Sequence, residues 1–584
     1  GFGARGNFGI RGIRIFVDGI PAGLPDGQVQ VDSLDASQIS SIEVLRGPAA
    51  AQYGNGAGGV ILIETVPAEA APPWQLSLGL GENGFENYAA AVKAQGEGAP
   101  VSAHFTASRL VLDGHREQAR SDHRRMAAKL SFRLSERDRL DLSARATDAP
   151  LSEDPGGLGL SDLYARPDAA AANNLRFNAG ESLDQQSVAW RWRHEGAGDG
   201  SAVTVSNYFT WRDFENRLPF QAGGSVRIDR RLGGISAQYR WSGPLAANWV
   251  AGIETDQQRD RRQRFDNDFG VPGTQRLNQE EIVTAAGAYL GSDHALGPYA
   301  LQTALRFDSL RVELRDAFPG DGDDSGRRRF QRLSHGLGLS RRFASGLSAY
   351  ARFASSYDTP TTTELANPLG SGFNTELDPQ TSLSYEAGIK AGGAVSVQLA
   401  LYQVDTRDEL VAFELAGQPG RSFFENAGAS RRRGAEVSFV PRARGTLDWR
   451  LVASWADAEF RRFSSGGVDF SGNILPGTPA LRLAGSLDWQ PGENWRFGAD
   501  LERVERVYAD NANAVRSPDY LDVGVRIAWG RAFGSTRFET FAGVKNLLDR
   551  VFADNLRINA FGGRYFEPAP GRYLHAGVRL YALP

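Results

Sequence analysis

The chain has no cysteine and a single methionine in 584 residues. Disulfides, thiolate metal sites and cysteine nucleophiles are therefore excluded, and soft copper ligation has almost nothing to work with. No apolar run approaches the roughly 18 residues that a membrane-spanning helix needs. The net charge is −4 and the mean hydropathy −0.36, so the charge balance gives no argument for nucleic acid. A signal peptide is also missing. The chain opens in mid-motif at Gly1-Phe2-Gly3 and is read as a piece that starts after the true N-terminus, so its compartment stays open. No Ser/His/Asp triad or carboxylate pair stands out, and neither enzyme activity nor a cofactor is expected. His115 and His123 lack a metal spacing, and Asp321, Asp323 and Asp324 lack the calcium-loop spacing, so no metal site is expected.

Glycine, by contrast, is abundant, at 68 residues, and residues 54–59 read GNGAGG. As G-x-G-x-x-G this would be a dinucleotide loop only if it opened a helix. Gly59 leads instead into Val60-Ile61-Leu62-Ile63, a β-branched run that ends at Pro67 and reads as a strand. These glycines are expected to serve tight turns and close backbone approach.

From about residue 74 the dominant period is two. Leu447, Trp449, Leu451, Ala453 and Trp455 alternate with Asp448, Arg450, Val452 and Ser454, and Trp495–Glu502 and Tyr573–Leu580 obey the same rule. A half-exposed soluble sheet would do this, and so would a membrane barrel. Short turns (96–100, 135–138, 195–200, 242–248, 292–297, 343–346, 391–393, 441–445, 490–494, 530–534) alternate with longer polar connections. The latter are placed near 81–87, 112–124, 149–185, 213–231, 260–280, 312–330, 356–381, 406–430, 459–478, 506–516 and 546–570. Strict alternation of short and long, with 22 strands between, points to an all-β, antiparallel transmembrane barrel. Closure pairs every backbone amide inside a bilayer. Trp74, Trp192, Trp241, Trp249, Trp449, Trp489, Trp495 and Trp529 gather near the short turns or the start of the barrel, as interfacial indoles do. Residues 1–68 break the pattern with short strands at Arg14–Val17, Ile42–Leu45 and Val60–Glu64. They are expected to be a small plug domain inside the lumen of a barrel formed by 69–584.

Several blocks resemble the TonB-dependent outer-membrane receptors. Ile13–Val17 with Asp18-Gly19-Ile20-Pro21, and Leu24-Pro25-Asp26-Gly27-Gln28, resemble stretches of that family's plug. Ile42-Glu43-Val44-Leu45-Arg46-Gly47-Pro48, with Tyr53-Gly54 and Gly58–Ile61 after it, resembles its most diagnostic block. Asn546–Asp549 and Pro570-Gly571-Arg572 are similar to its closing strands. Tyr357–Leu365 with Leu377–Ser382 is similar to a loop of its ferric-siderophore branch, and the plug pieces are most similar to ferric-citrate-type receptors. The family's TonB-contacting box and the first half of the plug are expected upstream of Gly1. The chain ends Tyr581-Ala582-Leu583-Pro584, where the family usually ends on an aromatic residue.

The resemblance implies active uptake of a scarce metal chelate, foremost a ferric siderophore, across the outer membrane of a Gram-negative bacterium. TonB and its inner-membrane complex would supply the energy, and the barrel would be monomeric among outer-membrane lipid and lipopolysaccharide. Cobalamin, another metal chelate or a saccharide is the alternative cargo. A passive porin or adhesin is the alternative class. The resemblance also makes Glu43 and Arg46 a latch between plug and wall, and places Arg5, Asn7 and Gln28 at the plug apex, where ligand arrives. In the long connections Arg116, Arg261, Arg262 and Arg327 are candidate contacts for a carboxylate-rich ligand, since guanidinium groups bind carboxylates in bidentate fashion. Each has the rival reading of an ordinary solvated or lipopolysaccharide-facing charge.

Overall fold

In the computed structural model of the protein, residues 12–583 are described except 30, 32, 46–52, 57, 96–98, 199, 244–246, 319, 321, 345, 369–371, 418–420 and 443–444. Twenty-two antiparallel strands, from Trp74–Gly81 to Tyr573–Ala582, form one closed barrel. The last strand closes on the first, with His575 opposite Gly81 and Tyr581 opposite Gln75. Alternation sorts the side chains as expected. On Gly326–Arg342, Leu333, Leu337 and Leu339 face out and are exposed, whereas Ser334, Gly336 and Gly338 face in and are buried. Trp241 and Trp249, paired across the 242–248 turn, stack at 6.2 Å on the outer surface. Inside, three tyrosines lie over glycines of the adjacent strand. A Cβ on Gly252, Gly388 or Gly434 would come within 2.4–2.6 Å of atoms of Tyr289, Tyr350 or Tyr402. Each ring fills the gap left by the missing side chain, which pins the register.

The connections mostly fall where the alternation put them, with two corrections. The expected loop at 260–280 does not exist. Ala247–Asp268 and Val271–Leu296 are continuous strands of 22 and 26 residues, joined by the two residues Phe269-Gly270. The polar run 254–264 alternates as strictly as an apolar one, so it keeps its ladder beyond the membrane. The turn expected at 292–297 is likewise pushed to Gly297-Pro298. The connection after Glu153 holds two short helices, α1 (Leu160–Ala165) and α2 (Ala172–Arg176).

The plug is a four-stranded sheet of β1 (Arg14–Val17), β2 (Ile20–Pro21), β3 (Ile39–Leu45) and β4 (Val60–Thr65), in the order β2-β1-β4-β3. Ile15, Val17, Val29 and Ile63 form its core. β1 and β2 are joined by Asp18-Gly19, both at positive φ (54° and 78°). An Asp-Gly pair suits that two-residue turn. GNGAGG leads into a strand, not a helix.

Candidate functional site

The plug apex is locked to one wall-borne segment. Asp26 is fully buried, and its Oδ2 accepts the Thr362 N–H at 3.2 Å. Asn55 donates through Nδ2 to Thr359 Oγ1 (2.9 Å) and to the Asp26 carbonyl (3.1 Å), and its Oδ1 accepts the Thr359 N–H (3.2 Å). The segment is also bonded within itself. Thr361 and Glu364 cap each other, N–H to Oε2 at 2.9 Å and N–H to Oγ1 at 3.1 Å. Leu365 and Leu377 anchor it in a buried cluster with Val283, Leu310, Val312, Phe330, Leu410 and Phe424.

Beside the apex, Arg306 is held by Asp308 at 2.8 Å and by Glu254, which also lies 3.9 Å from Arg14. Gly54 faces this group. Its φ is +79°, and a Cβ there would sit 2.7 Å from the Arg306 Nε. That is the job of the first glycine in GNGAGG. Arg230 and Asp260, both buried, form a bidentate pair at 2.8 and 2.6 Å next to the apex.

Above the apex the inward face of the long hairpin carries Arg262 and Arg264. Arg262 is ion-paired with Glu281 (2.9 Å) and donates through Nη2 to Thr363 Oγ1 (3.1 Å), so it touches the same locked segment. Arg262 and Arg421 are both charged neighbours of Arg264. The Arg264 Nε is buried and has no hydrogen-bond partner among the described residues. Arg421, in the connection before Ser422–Pro441, has its pKa lowered to about 10 by burial and by the Arg262 charge. Three cations thus converge on one space.

Of the candidates named from sequence, only Arg262 belongs to this group. Arg261 and Arg327 have the opposite parity and point away from the lumen, like Ile253 and Leu333 on the same strands. Arg116 is buried, and its Nη2 donates to the Gly156 and Ala169 carbonyls (2.7 and 2.9 Å). It ties its own loop to the helical connection, an arrangement that takes the guanidinium out of the vestibule. Gln28 is buried, its N–H bonded to Asp26 Oδ1 at 3.2 Å. Glu43 lies on the exposed β3, without an ion pair among the described residues. Arg5, Asn7 and Arg46 lie outside the described residues.

The plug contact that sequence reasoning missed is Asp18. Its carboxylate meets Lys129 Nζ at 3.1 Å and Arg145 Nη2 at 2.9 Å. It also accepts the Thr65 N–H (2.9 Å) and hydroxyl (2.8 Å), and the Asp18 carbonyl accepts Arg191 Nη1 (2.8 Å). Burial alone would raise the Asp18 pKa, but Lys129, Thr65 and Arg145 together hold it below its usual value. The Asp18-Gly19 turn was legible in the sequence, but its partners on the wall were not.

A closed barrel with an ion-paired plug in its lumen and a cationic vestibule has the architecture of a gated outer-membrane receptor. Residues 128–547 match the family model "TonB dependent receptor-like, beta-barrel", and residues 1–61 match "TonB-dependent Receptor Plug Domain". The protein belongs to the TonB-dependent receptor family: it is a receptor that works with TonB, and not an enzyme. It is 25% identical over 456 residues to the vitamin B12 transporter BtuB of Vibrio vulnificus, covering 76% of this chain and 66% of that protein. With the ferric enterobactin receptor PirA of Pseudomonas aeruginosa it shares 23% over 672 residues, 98% of this chain and 86% of that one. The unliganded ferric citrate transporter FecA superposes with a TM-score of 0.81 at 17% identity, covering 98% and 90% of the two chains. The fold is that of Gram-negative outer-membrane proteins.

Proposed function

We propose that the protein takes up an anionic metal chelate, foremost a ferric siderophore with carboxylate groups, binding it at Arg262, Arg264 and Arg421. The observation that carries this reading is the convergence of those three guanidinium groups above the plug. Like charges held together with a buried, unbonded Nε are costly unless an anion completes them. A cationic cleft with low-dielectric walls also concentrates anions. TonB would then pull the plug (residues 1–68) through a box upstream of Gly1, within a monomeric wall (69–584) set among lipid and lipopolysaccharide. A passive pore has no use for a plug bonded to its wall at both Asp18 and Asn55.

The test is equilibrium titration of the purified receptor with ferric citrate, a ferric catecholate, a ferric hydroxamate and cobalamin. Ferric citrate is expected to bind. Arg264→Gln is expected to weaken it about tenfold, the loss of one charge-assisted contact, while Arg261→Gln and Arg327→Gln leave it unchanged. Binding of cobalamin with none of the ferric chelates overturns the reading.

A further inference from the structure

Two cavities lie end to end between the plug and one side of the wall. The lower, about 50 Å³, is bounded by Asp18, Asp35, His104, Lys129 and Arg145. The upper, about 90 Å³, shares Ser143 and Arg145 with it and reaches Tyr208, Arg212 and Arg230. A third pocket, of about 280 Å³, opens at the short-turn mouth under Ser102, Ser131 and Arg139. Ser102 and His104, like Ser131 and Lys129, are successive inward positions on their strands, so the three spaces form one column.

Where this column runs beside the plug, the wall's charge is mostly of one sign. Beside the plug the inward positions carry Arg125, Lys129, Arg145 and Arg212, with Arg191 near Asp141 and Arg230 paired to Asp260, whereas at the short-turn mouth Glu69, Glu136, Asp138 and Glu195 balance the arginines. Asp184, Asp213 and Asp229, on the same strands, have the opposite parity and face outward. Across the lumen the signs are mixed, as in Glu254, Arg306 and Asp308. The two cavities beside the plug, as they stand, hold a few waters at most. A chelate passes only if the plug moves, and the plug is held here by Asp18.

We propose that this seam is the route by which an anionic cargo passes the plug, and that Asp18 is its gate. The proposal rests on the anionic-chelate reading above. While the plug is docked, the Asp18 carboxylate is the counterion of Lys129 and Arg145. When the plug sheet is drawn away, those two cations lose it and the passing anion takes its place. A buried cation is then never left without an opposite charge, which would otherwise oppose both the opening and the passage.

The absence of cysteine makes the test direct, because one introduced thiol is the only one present. Ser143→Cys and Ser187→Cys place it in the seam, and Ser384→Cys places it on the facing wall. The full-length receptor is treated with an anionic and a cationic methanethiosulfonate of similar size, each rate being divided by that reagent's rate with a small thiol in solution. The ratio of the two reagents cancels the reactivity of the thiol itself. In the seam the anionic reagent is expected to be favoured about tenfold. The preference should fall toward unity in about 1 M salt, and the anionic rate should rise when Asp18→Asn is added. Equal rates or a cationic preference at Ser143→Cys, or the same anionic preference at Ser384→Cys, overturns the route. Failure of the anionic-chelate reading shows separately, in the ferric-citrate titration of the unmodified receptor.

Discussion

A single residue, Asp18, fastens the plug to three wall strands, to two through its carboxylate and to the third through its carbonyl. Removing its charge leaves Lys129 and Arg145, side by side and partly buried, without their paired carboxylate. Asp18→Asn is therefore expected to weaken plug docking by about 3 kcal/mol, seen as faster limited proteolysis of the plug with an unchanged barrel melting transition. The pH dependence has a definite sign. The pKa of this carboxylate is lower folded than unfolded, so its stabilisation is complete above the unfolded value of about 4 and disappears as pH falls through the folded value below it. Proteolysis of the plug should thus be flat from about pH 5 to pH 8 and accelerate only below about pH 4. Mild acidification is therefore not expected to release this latch.

At the scale of elements, the segment 359–365 stands between the vestibule and the plug. Thr363 meets Arg262, Thr362 meets Asp26 and Thr359 meets Asn55. Asn55→Ala breaks three bonds at that junction without touching the arginines. Equilibrium binding of the chelate should survive, while uptake by whole cells falls severalfold. Loss of both together would show that Asn55 shapes the binding space instead. Much of this level was legible beforehand. Alternation of two gave the strands, their number and the inward face, because parity is fixed by the pleat. It also held the answer for Arg261 and Arg262, which neighbour each other in sequence but face opposite sides. Reading 260–280 as a loop hid that answer, since a polar strand beyond the membrane has the composition of a connection. The Asp18 latch and the burial of Arg116 were not legible. Each depends on partners separated from it by long stretches of chain, and no local pattern encodes such pairings.

At the scale of the molecule, the wall is one sheet whose seam joins Tyr573–Ala582 to Trp74–Gly81. Those are the last and first of its strands to leave the ribosome. Until the last one exists, the cylinder is an open ribbon with two bare margins, and each unmatched amide in lipid is penalised by several kcal/mol. Insertion must therefore wait for that final strand, and something must shield the ribbon meanwhile. Deleting residues 573–584 is expected to abolish heat-modifiable migration on gels and leave aggregate, although all the plug and vestibule residues remain. A nonsense mutation in the codons of this strand should thus be as complete a knockout as one near the start.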